Sequence, residues 1–295
     1  MRILFVGTVR FSENMLRKLI EINADVVGVV TGPDSGLNAD YADLSSICAD
    51  NGIACHLTED INNVETIAWV KRQSPDVIFC LGWSRLLGAE FLVLPKMGVV
   101  GFHPTELPKN RGRHPLIWAL VLGLKQTAST FIFMDAGADS GDILSQKMIS
   151  VTDVDDALSL YEKVEQVAET QLVEIVAGLE SADYARISQD ESKANYWRKR
   201  CANDGRIDWR MSASSIHNLV RGLTRPYIGA EFCLGDEVYK VWRSRPLVIA
   251  GIENSEPGKV LEVKAGGSVV LKCGEQCIEL LETEPVLHVA KGQYL

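Results

Sequence analysis

Short, wholly apolar runs alternate with amphipathic segments along the first hundred or so residues, and this alternation narrows the fold more than any other feature. Ile3–Gly7 is such a run, bounded by glycine, and reads as a buried strand. Ser12 is placed to cap the helix that follows, whose Met15, Leu16, Leu19 and Ile20 share one face. Val26–Val30 is the next strand and ends at Thr31-Gly32-Pro33. A helix near Tyr41–Asp50 stops at Asn51-Gly52, a short strand follows at Ile53–Leu57, and a third helix lies near Val64–Gln73. Pro75 opens a further strand, Val77–Leu81. Strands that alternate with helices pair in parallel, so the expected architecture is α/β, a doubly wound and mostly parallel sheet.

Beyond Gly98 the texture changes. Val99–Phe102 is a strand that runs straight into His103-Pro104, and Thr105–His114 is too irregular for a helix. Pro115 suits the first turn of a helix to Leu122; Thr127–Met134 and Ile143–Ile149 read as strands around a Gly/Asp loop. A long amphipathic helix fits Asp155–Leu179. Glu180–Asn195 is polar and lacks any period, which reads as a connection. After it come a helix capped by Ser212 and short strands at Ala230–Leu234, Val238–Trp242, Val260–Lys264, Val269–Cys273 and Ile278–Leu281, the pattern of a small barrel or sandwich. The expected domains are therefore 1–180 for the chemistry, 181–204 as linker, and 205–295 as a smaller β-rich domain.

Charge and motif content exclude several classes. A formal charge of −9 argues against a general DNA or RNA binder, although one local basic cluster suffices for a diphosphate. The first strand–helix turn, Gly7-Thr8-Val9-Arg10-Phe11-Ser12, is not GxGxxG, and no Walker A sequence occurs. The N-terminus lacks the features of a signal peptide, and no uncharged stretch is long enough to span a bilayer; a cytoplasmic protein with no membrane contact is the expectation. Seven scattered cysteines suggest reduced thiols, and Cys273 with Cys277 reads as part of a strand pair, with no metal site expected.

Two segments place reactive residues beyond strand ends, where open α/β sheets bind ligands. One runs from Gly101 to Arg113 and holds His103; the other runs from Asp135 to Asp142 and holds Asp139. A histidine is suited to proton transfer near neutral pH. Asp139 lies two residues from a glycine on either side, where backbone can approach a ligand closely. Taken singly, His103 also reads as a hydrogen-bonded structural residue and Asp139 as a turn residue.

Together the segments resemble the 10-formyltetrahydrofolate-dependent formyltransferases. That family carries a strand ending in Asn-x-His, then Pro-Ser-Leu-Leu-Pro-Lys-Tyr-Arg-Gly, then an Asp-x-Gly loop. This chain has His103-Pro104-Thr105-Glu106-Leu107-Pro108-Lys109-Asn110-Arg111-Gly112, then Ala138-Asp139-Ser140-Gly141-Asp142. Asp204-Gly205-Arg206-Ile207-Asp208-Trp209 and Arg221-x-x-x-x-Pro226-Tyr227-x-Gly229-Ala230 are similar to the segments opening the family's C-terminal domain. The resemblance implies a Rossmann-like catalytic domain, 10-formyltetrahydrofolate as cofactor, and direct formyl transfer to an amine through a tetrahedral oxyanion at His103 and Asp139. It implies folate contacts from Leu81, Gly82, Trp83, Ser84, Arg85 and Leu86, and from Asp135, Gly137, Ala138 and Asp142. Trp83 reads equally as a packing aromatic. The chain departs from the pattern at Gly101, where the family has an Asn that binds the formyl oxygen. Three readings follow: a transferase using another donor such as His103 or Asn110, a transferase of another acyl group, or a catalytically weak folate- or nucleotide-binding protein.

The acceptor follows from the loop after His103. Arg111-Gly112-Arg113-His114-Pro115-Leu116-Ile117-Trp118 looks closest to family members that formylate nucleotide-linked amino sugars for bacterial surface glycans, lipopolysaccharide or O-antigen among them. Substrate contacts are expected from Pro104, Thr105, Lys109, Asn110, Arg111, Gly112 and Arg113, with Tyr196 and Trp197 as stacking partners. Alternatively, Arg111 pairs with a carboxylate and positions the loop, while Tyr196 and Trp197 anchor the linker. The family also includes enzymes that formylate methionyl-tRNA, the alternative acceptor here, and glycinamide ribonucleotide, against which the second domain argues. The expected partners are folate and a nucleotide-linked amino sugar, not DNA, with a homodimer entertained as the assembly.

Overall fold

The apolar runs become strands of one sheet. In the computed structural model, which describes residues 1–34 and 40–295, the first five strands are β1 (Ile3–Val6), β2 (Val26–Thr31), β3 (Cys55–Leu57), β4 (Val77–Cys80) and β5 (Val99–His103). A two-residue β6 (Arg111–Gly112) stays outside the sheet, which β7 (Gln126–Phe133) and β8 (Ile143–Ser150) complete. The order is β3-β2-β1-β4-β5-β7-β8. Pairings from β3 to β5 are parallel, and β5 pairs antiparallel with β7, His103 facing Thr130. The strand order reverses between β1 and β4, so the carboxyl ends of β1, β4 and β5 surround a switch point, where sheets of this type hold ligands.

Helices α1 (Arg10–Glu21), α2 (Ser45–Asp50), α3 (Val64–Gln73) and α4 (Ala89–Leu92) join these strands. Leu4, Val6, Val30, Val70, Ile78 and Phe91 pack in one core cluster. Each such side chain contributes about 1.5–3 kcal/mol when fully buried. Ser12 is not the cap of α1. The helix begins two residues earlier, and Ser12 Oγ accepts from the Thr8 and Val9 amides while donating to the Leu81 carbonyl (2.6 Å). It thereby ties the turn after β1 to the turn after β4.

The chain divides into two units, the first comprising residues 1–112, 127–149 and 163–197, the second 113–126, 150–162 and 198–295. Helix α5 (Pro115–Val121) falls within the second unit, and α6 (Ala157–Ser181) begins in the second unit and continues into the first. The stretch read as a linker does not behave as one. Up to Trp197 it folds with the first unit: Ile187 bridges to Ile143, and β9 (Tyr196–Trp197) pairs in parallel with β6. Its polarity serves hydrogen bonds, not freedom.

The second unit holds α7 (Ala213–Leu223), capped as expected by Ser212, whose Oγ accepts from the Ser215 amide. Ile216, Leu219 and Val220 bury against strands β10 (Ala230–Leu234), β11 (Glu237–Leu247), β12 (Val260–Val263), β13 (Val269–Lys272) and β14 (Cys277–Glu284). These form one antiparallel sheet in the order β10-β11-β14-β13-β12. Cys273 and Cys277 are buried thiols at the β13–β14 turn, and burial pushes Cys273 up to about 12. No helix among the described residues is long and apolar enough to cross a membrane.

Candidate active site

His103 is the last residue of β5, so the strand fixes its backbone while its ring lies at the sheet's carboxyl edge. Its Nε2 donates to the Asn110 carbonyl (2.9 Å), since a carbonyl can only accept. That bond leaves Nδ1 as the ring atom facing Asp139, at 3.6 Å from Oδ1. Asp139 has positive φ (57°) in its Gly-flanked loop, and its Oδ2 accepts from the Gly112 amide at 2.9 Å. Its side chain is 24% exposed against 6% for His103. The carboxylate, not the imidazole, is therefore the more open face of the pair.

Glycine is required at both closest approaches. A Cβ on Gly112 (φ +109°) would lie 2.2 Å from the Trp197 carbonyl oxygen, and one on Gly141 would lie 1.7 Å from that of Phe133. At Asn110, the backbone amide donates to Asn195 Oδ1 and the side-chain oxygen accepts from Asn195 Nδ2. The Asn110 Nδ2 finds no partner among the described residues and is free to donate to a developing negative charge.

Arg111 does not meet phosphates. Its side chain is wholly buried and all five of its N–H groups are used, on Gln189 Oε1 (twice), both Glu191 oxygens and Tyr196 Oη. The carboxylate-pairing alternative is the one realised, and the bonds to Glu191 hold that carboxyl below its usual range. Gln189 completes the link, its Nε2 donating to the Asp139 and Gly141 carbonyls (2.9 and 2.7 Å). One continuous network thus runs from Glu191 through Arg111 and Gln189 to the Asp139 loop. Gln189, Glu191 and Asn195 were invisible as site residues in sequence; each sits in the aperiodic polar stretch, and no spacing marks it.

Other expected contacts take structural roles. Thr105 is fully buried, with Oγ1 on the Lys109 carbonyl and its own carbonyl accepting from Thr130. The Pro104 carbonyl accepts from Thr127, and Lys109 pairs with Glu106. Gly112, Tyr196 and Trp197 form the β6–β9 pair, which anchors the connecting stretch. Asp135 organises its own loop, accepting from the Gly137 amide and Ser140 Oγ; Asp142 accepts from Ser188, while Gly137 and Ala138 are exposed. Arg113 belongs to the second unit.

In the loop after β4, Leu81 is spent on the fold, its amide bonding Val6 and its carbonyl Ser12. The following residues are different. Arg85 reaches the Glu59 carbonyl and the Leu86 carbonyl accepts from Asn62, yet the amides of Gly82, Trp83 and Leu86 have no partner among the described residues. Trp83 packs on the first core but its buried Nε1 is also unsatisfied. Orphan donors in a half-buried loop suit a flat heterocycle edged with acceptors, so the residues present fit a pterin.

Residues 1–176 match the model of the formyl transferase family, and residues 201–286 match that of the formyl transferase C-terminal domain. A methionyl-tRNA formyltransferase of Caldanaerobacter subterraneus subsp. tengcongensis is 32% identical over 289 residues, spanning 96% of this chain and 92% of that protein. In fold, the chain is similar to WlaRD, a sugar 3N-formyl transferase solved with dTDP and 5-N-formyl-THF (TM-score 0.72, 17% identity, 97% of this chain and 99% of that one). It is also similar to an N-formyltransferase of Helicobacter canadensis solved with folinic acid and dTDP-3-aminofucose (TM-score 0.71, 17% identity, 94% and 98%). The chain belongs to the formyl transferase family.

Proposed function

We propose that this formyl transferase moves the formyl group of 10-formyltetrahydrofolate onto the amine of a nucleotide-linked amino sugar, in the synthesis of bacterial surface glycans. The observation that carries the chemistry is the pair at the end of β5: His103 Nδ1 facing an Asp139 carboxylate that the Gly112 amide holds in place. The folate, when bound, supplies an activated formyl carbon. The acceptor amine attacks that carbon and an N–C bond forms. Asp139, the more open group, takes the proton the amine sheds, and His103 Nδ1 is placed to share it. Asn110 Nδ2 donates to the oxyanion. As the C–N bond of the donor cleaved, Asp139 would return that proton to the leaving nitrogen. General acid–base groups of this kind are worth about 10²- to 10⁴-fold.

The nucleotide sugar is favoured over a tRNA by charge. The chain carries a net −9, and much of its basic charge is already paired, as in Lys71–Glu90, Lys147–Glu174, Arg225–Glu282 and Arg245–Glu279. Binding along a tRNA needs several unpaired cations in a row. Solved neighbours of similar fold hold dTDP and dTDP-3-aminofucose, which supports the same choice. The second reading is methionyl-tRNA formylation, favoured by the 32% identical relative. Purified protein is incubated with 10-formyltetrahydrofolate and either a panel of dTDP-, UDP- and GDP-linked amino sugars or charged initiator tRNA, and the products are identified by mass. Formylation of an amino sugar is expected; formyl-methionyl-tRNA as the sole product overturns the acceptor assignment.

A further inference from the structure

Two thiols meet at the open edge of the seven-stranded sheet, away from His103 and Asp139. β3 is the last strand on that side, and β2, β1 and β4 separate it from β5. Helix α2 stops at Asn51-Gly52, where the positive φ of Gly52 (66°) turns the chain back into β3. The Ile53 amide closes this turn on the Cys48 carbonyl (2.9 Å). The Ala54 carbonyl then accepts from the Val29 amide (2.8 Å), which pins the returning chain to β2. Cys48 sits in the last turn of α2, and Cys55 is the first residue of β3, paired with Val29.

The contact between the two thiols has a direction. The Cys48 thiol donates to the Cys55 sulfur, and the Ser45 hydroxyl donates to it as well. Ser45 and Cys48 are three apart on α2, so both donors come from one face of the helix. Exposure separates the roles further. Cys48 is 1% exposed, whereas Cys55 is open to solvent. The two donors favour Cys55 as thiolate, with the Asp43 carboxylate opposing. The bond it gives to Cys55, then burial, keep Cys48 protonated. An accessible thiolate is the sulfur an oxidant meets first, and a protonated thiol already in contact is placed to resolve the product. Cys273 and Cys277 lack this division, since both are buried.

We infer that Cys48 and Cys55 form a peroxide-sensitive thiol pair that closes to an intramolecular disulfide. The Cys55 sulfur attacks one oxygen of hydrogen peroxide, the O–O bond breaks, and hydroxide leaves. Cys55 is then a sulfenic acid. The Cys48 sulfur attacks the Cys55 sulfur, an S–S bond forms and the S–O bond breaks. The departing hydroxyl takes the Cys48 proton and leaves as water. Two electrons pass from the two thiols to the peroxide. A small dithiol restores the pair by thiol–disulfide exchange, becoming a disulfide itself.

The test is peptide mapping of the full chain. The protein is treated with hydrogen peroxide near neutral pH, its remaining thiols are alkylated, and it is cleaved before aspartate. Asp50 lies between the two cysteines, which therefore fall in separate peptides, 43–49 and 50–59. In the treated parent these peptides are expected joined, lighter than their sum by two hydrogens, and dithiothreitol should part them. Cys48→Ser should lose the joined species and leave Cys55 as a sulfenic acid that dimedone labels. Cys55→Ser, at an exposed position, should leave Cys48 unoxidised with the melting temperature unchanged. Peptides 43–49 and 50–59 that stay separate while the exposed Cys201 or Cys233 is oxidised overturn the pair. So does a bond from Cys55 to any other cysteine or to a second copy of the chain. Cys55 carried on to the sulfinic acid in the parent, with Cys48 still free, also overturns it.

Discussion

Gly101→Asn puts the resemblance to a physical test, because the space an asparagine would need is occupied. A Cβ at Gly101 would lie 2.7 Å from Met134 Cγ and 2.9 Å from its Sδ. Comfortable contacts are about 3.5–4.0 Å, so the Met134 side chain must withdraw by about 1 Å. Overpacking of this size costs about 1–3 kcal/mol. An added oxyanion donor is worth about 2.7–4 kcal/mol, or 10²- to 10³-fold in kcat. The single substitution therefore spends much of its gain on displacing Met134, while Gly101→Asn with Met134→Ala retains most of it. We expect kcat for formyl transfer in the double variant to exceed that of Gly101→Asn by at least about tenfold, which is about 1.36 kcal/mol of barrier. Met134→Ala alone should not raise kcat. The reasoning fails if the single variant is as fast as the double, or if a folded double variant is no faster than the parent. In the latter case the oxyanion is already served, with Asn110 Nδ2 the first donor to remove.

Further outcomes follow from the same geometry. His103→Ala and Asp139→Ala should each lower kcat by about 10²- to 10⁴-fold with unchanged circular dichroism; a variant within threefold or so of the parent refutes the pair's role. Gln189→Ala strips a donor from the Asp139 and Gly141 carbonyls and an acceptor from Arg111, so it should cost about 1–3 kcal/mol of stability and reduce kcat; an unchanged melting curve and rate contradict the network. Cys55 accepts a hydrogen bond from Cys48, with Ser45 assisting, which lowers its thiol to about 7. The thiolate is the nucleophile, so iodoacetamide labelling of Cys55 should rise as pH climbs through about 7 and then level, whereas a rate still climbing at the ordinary thiol value of about 8.5 refutes the assignment.

The centre of the sheet was legible because β1 and β4 are buried on both faces, and a run such as Val77–Cys80 has no other environment to occupy. His103 and Asp139 stand out in sequence as a strand-end histidine and an aspartate in a Gly-flanked loop, and the structure sets them 3.6 Å apart. What escaped was long-range polar matching. Ser12 looks like a cap locally, but its hydroxyl answers to the Leu81 carbonyl, 69 residues away. The stretch after residue 180 looks like a linker because hydrogen-bond partners impose no period, yet Gln189, Glu191 and Asn195 each satisfy a group in the site loops. Arg111 shows the same limit: an arginine beside a glycine suits a phosphate or a carboxylate equally until its partners are known. The filling of the Gly101 space by Met134 depends on the antiparallel β5–β7 register, in which Gly101 faces Ile132, and no local spacing encodes it.

The most direct test of the account is a single-turnover assay with 10-formyltetrahydrofolate and a nucleotide-linked amino sugar, comparing the parent chain with Asp139→Asn. Asparagine keeps the side chain's shape and its oxygen for the Gly112 amide but cannot take a proton. The expected result is parent product heavier than the amine by one carbonyl unit, and a chemical step in the variant slower by at least about a hundredfold with donor affinity retained. A variant that formylates at the parent's rate, or a parent that releases formate without any amine adduct, contradicts it.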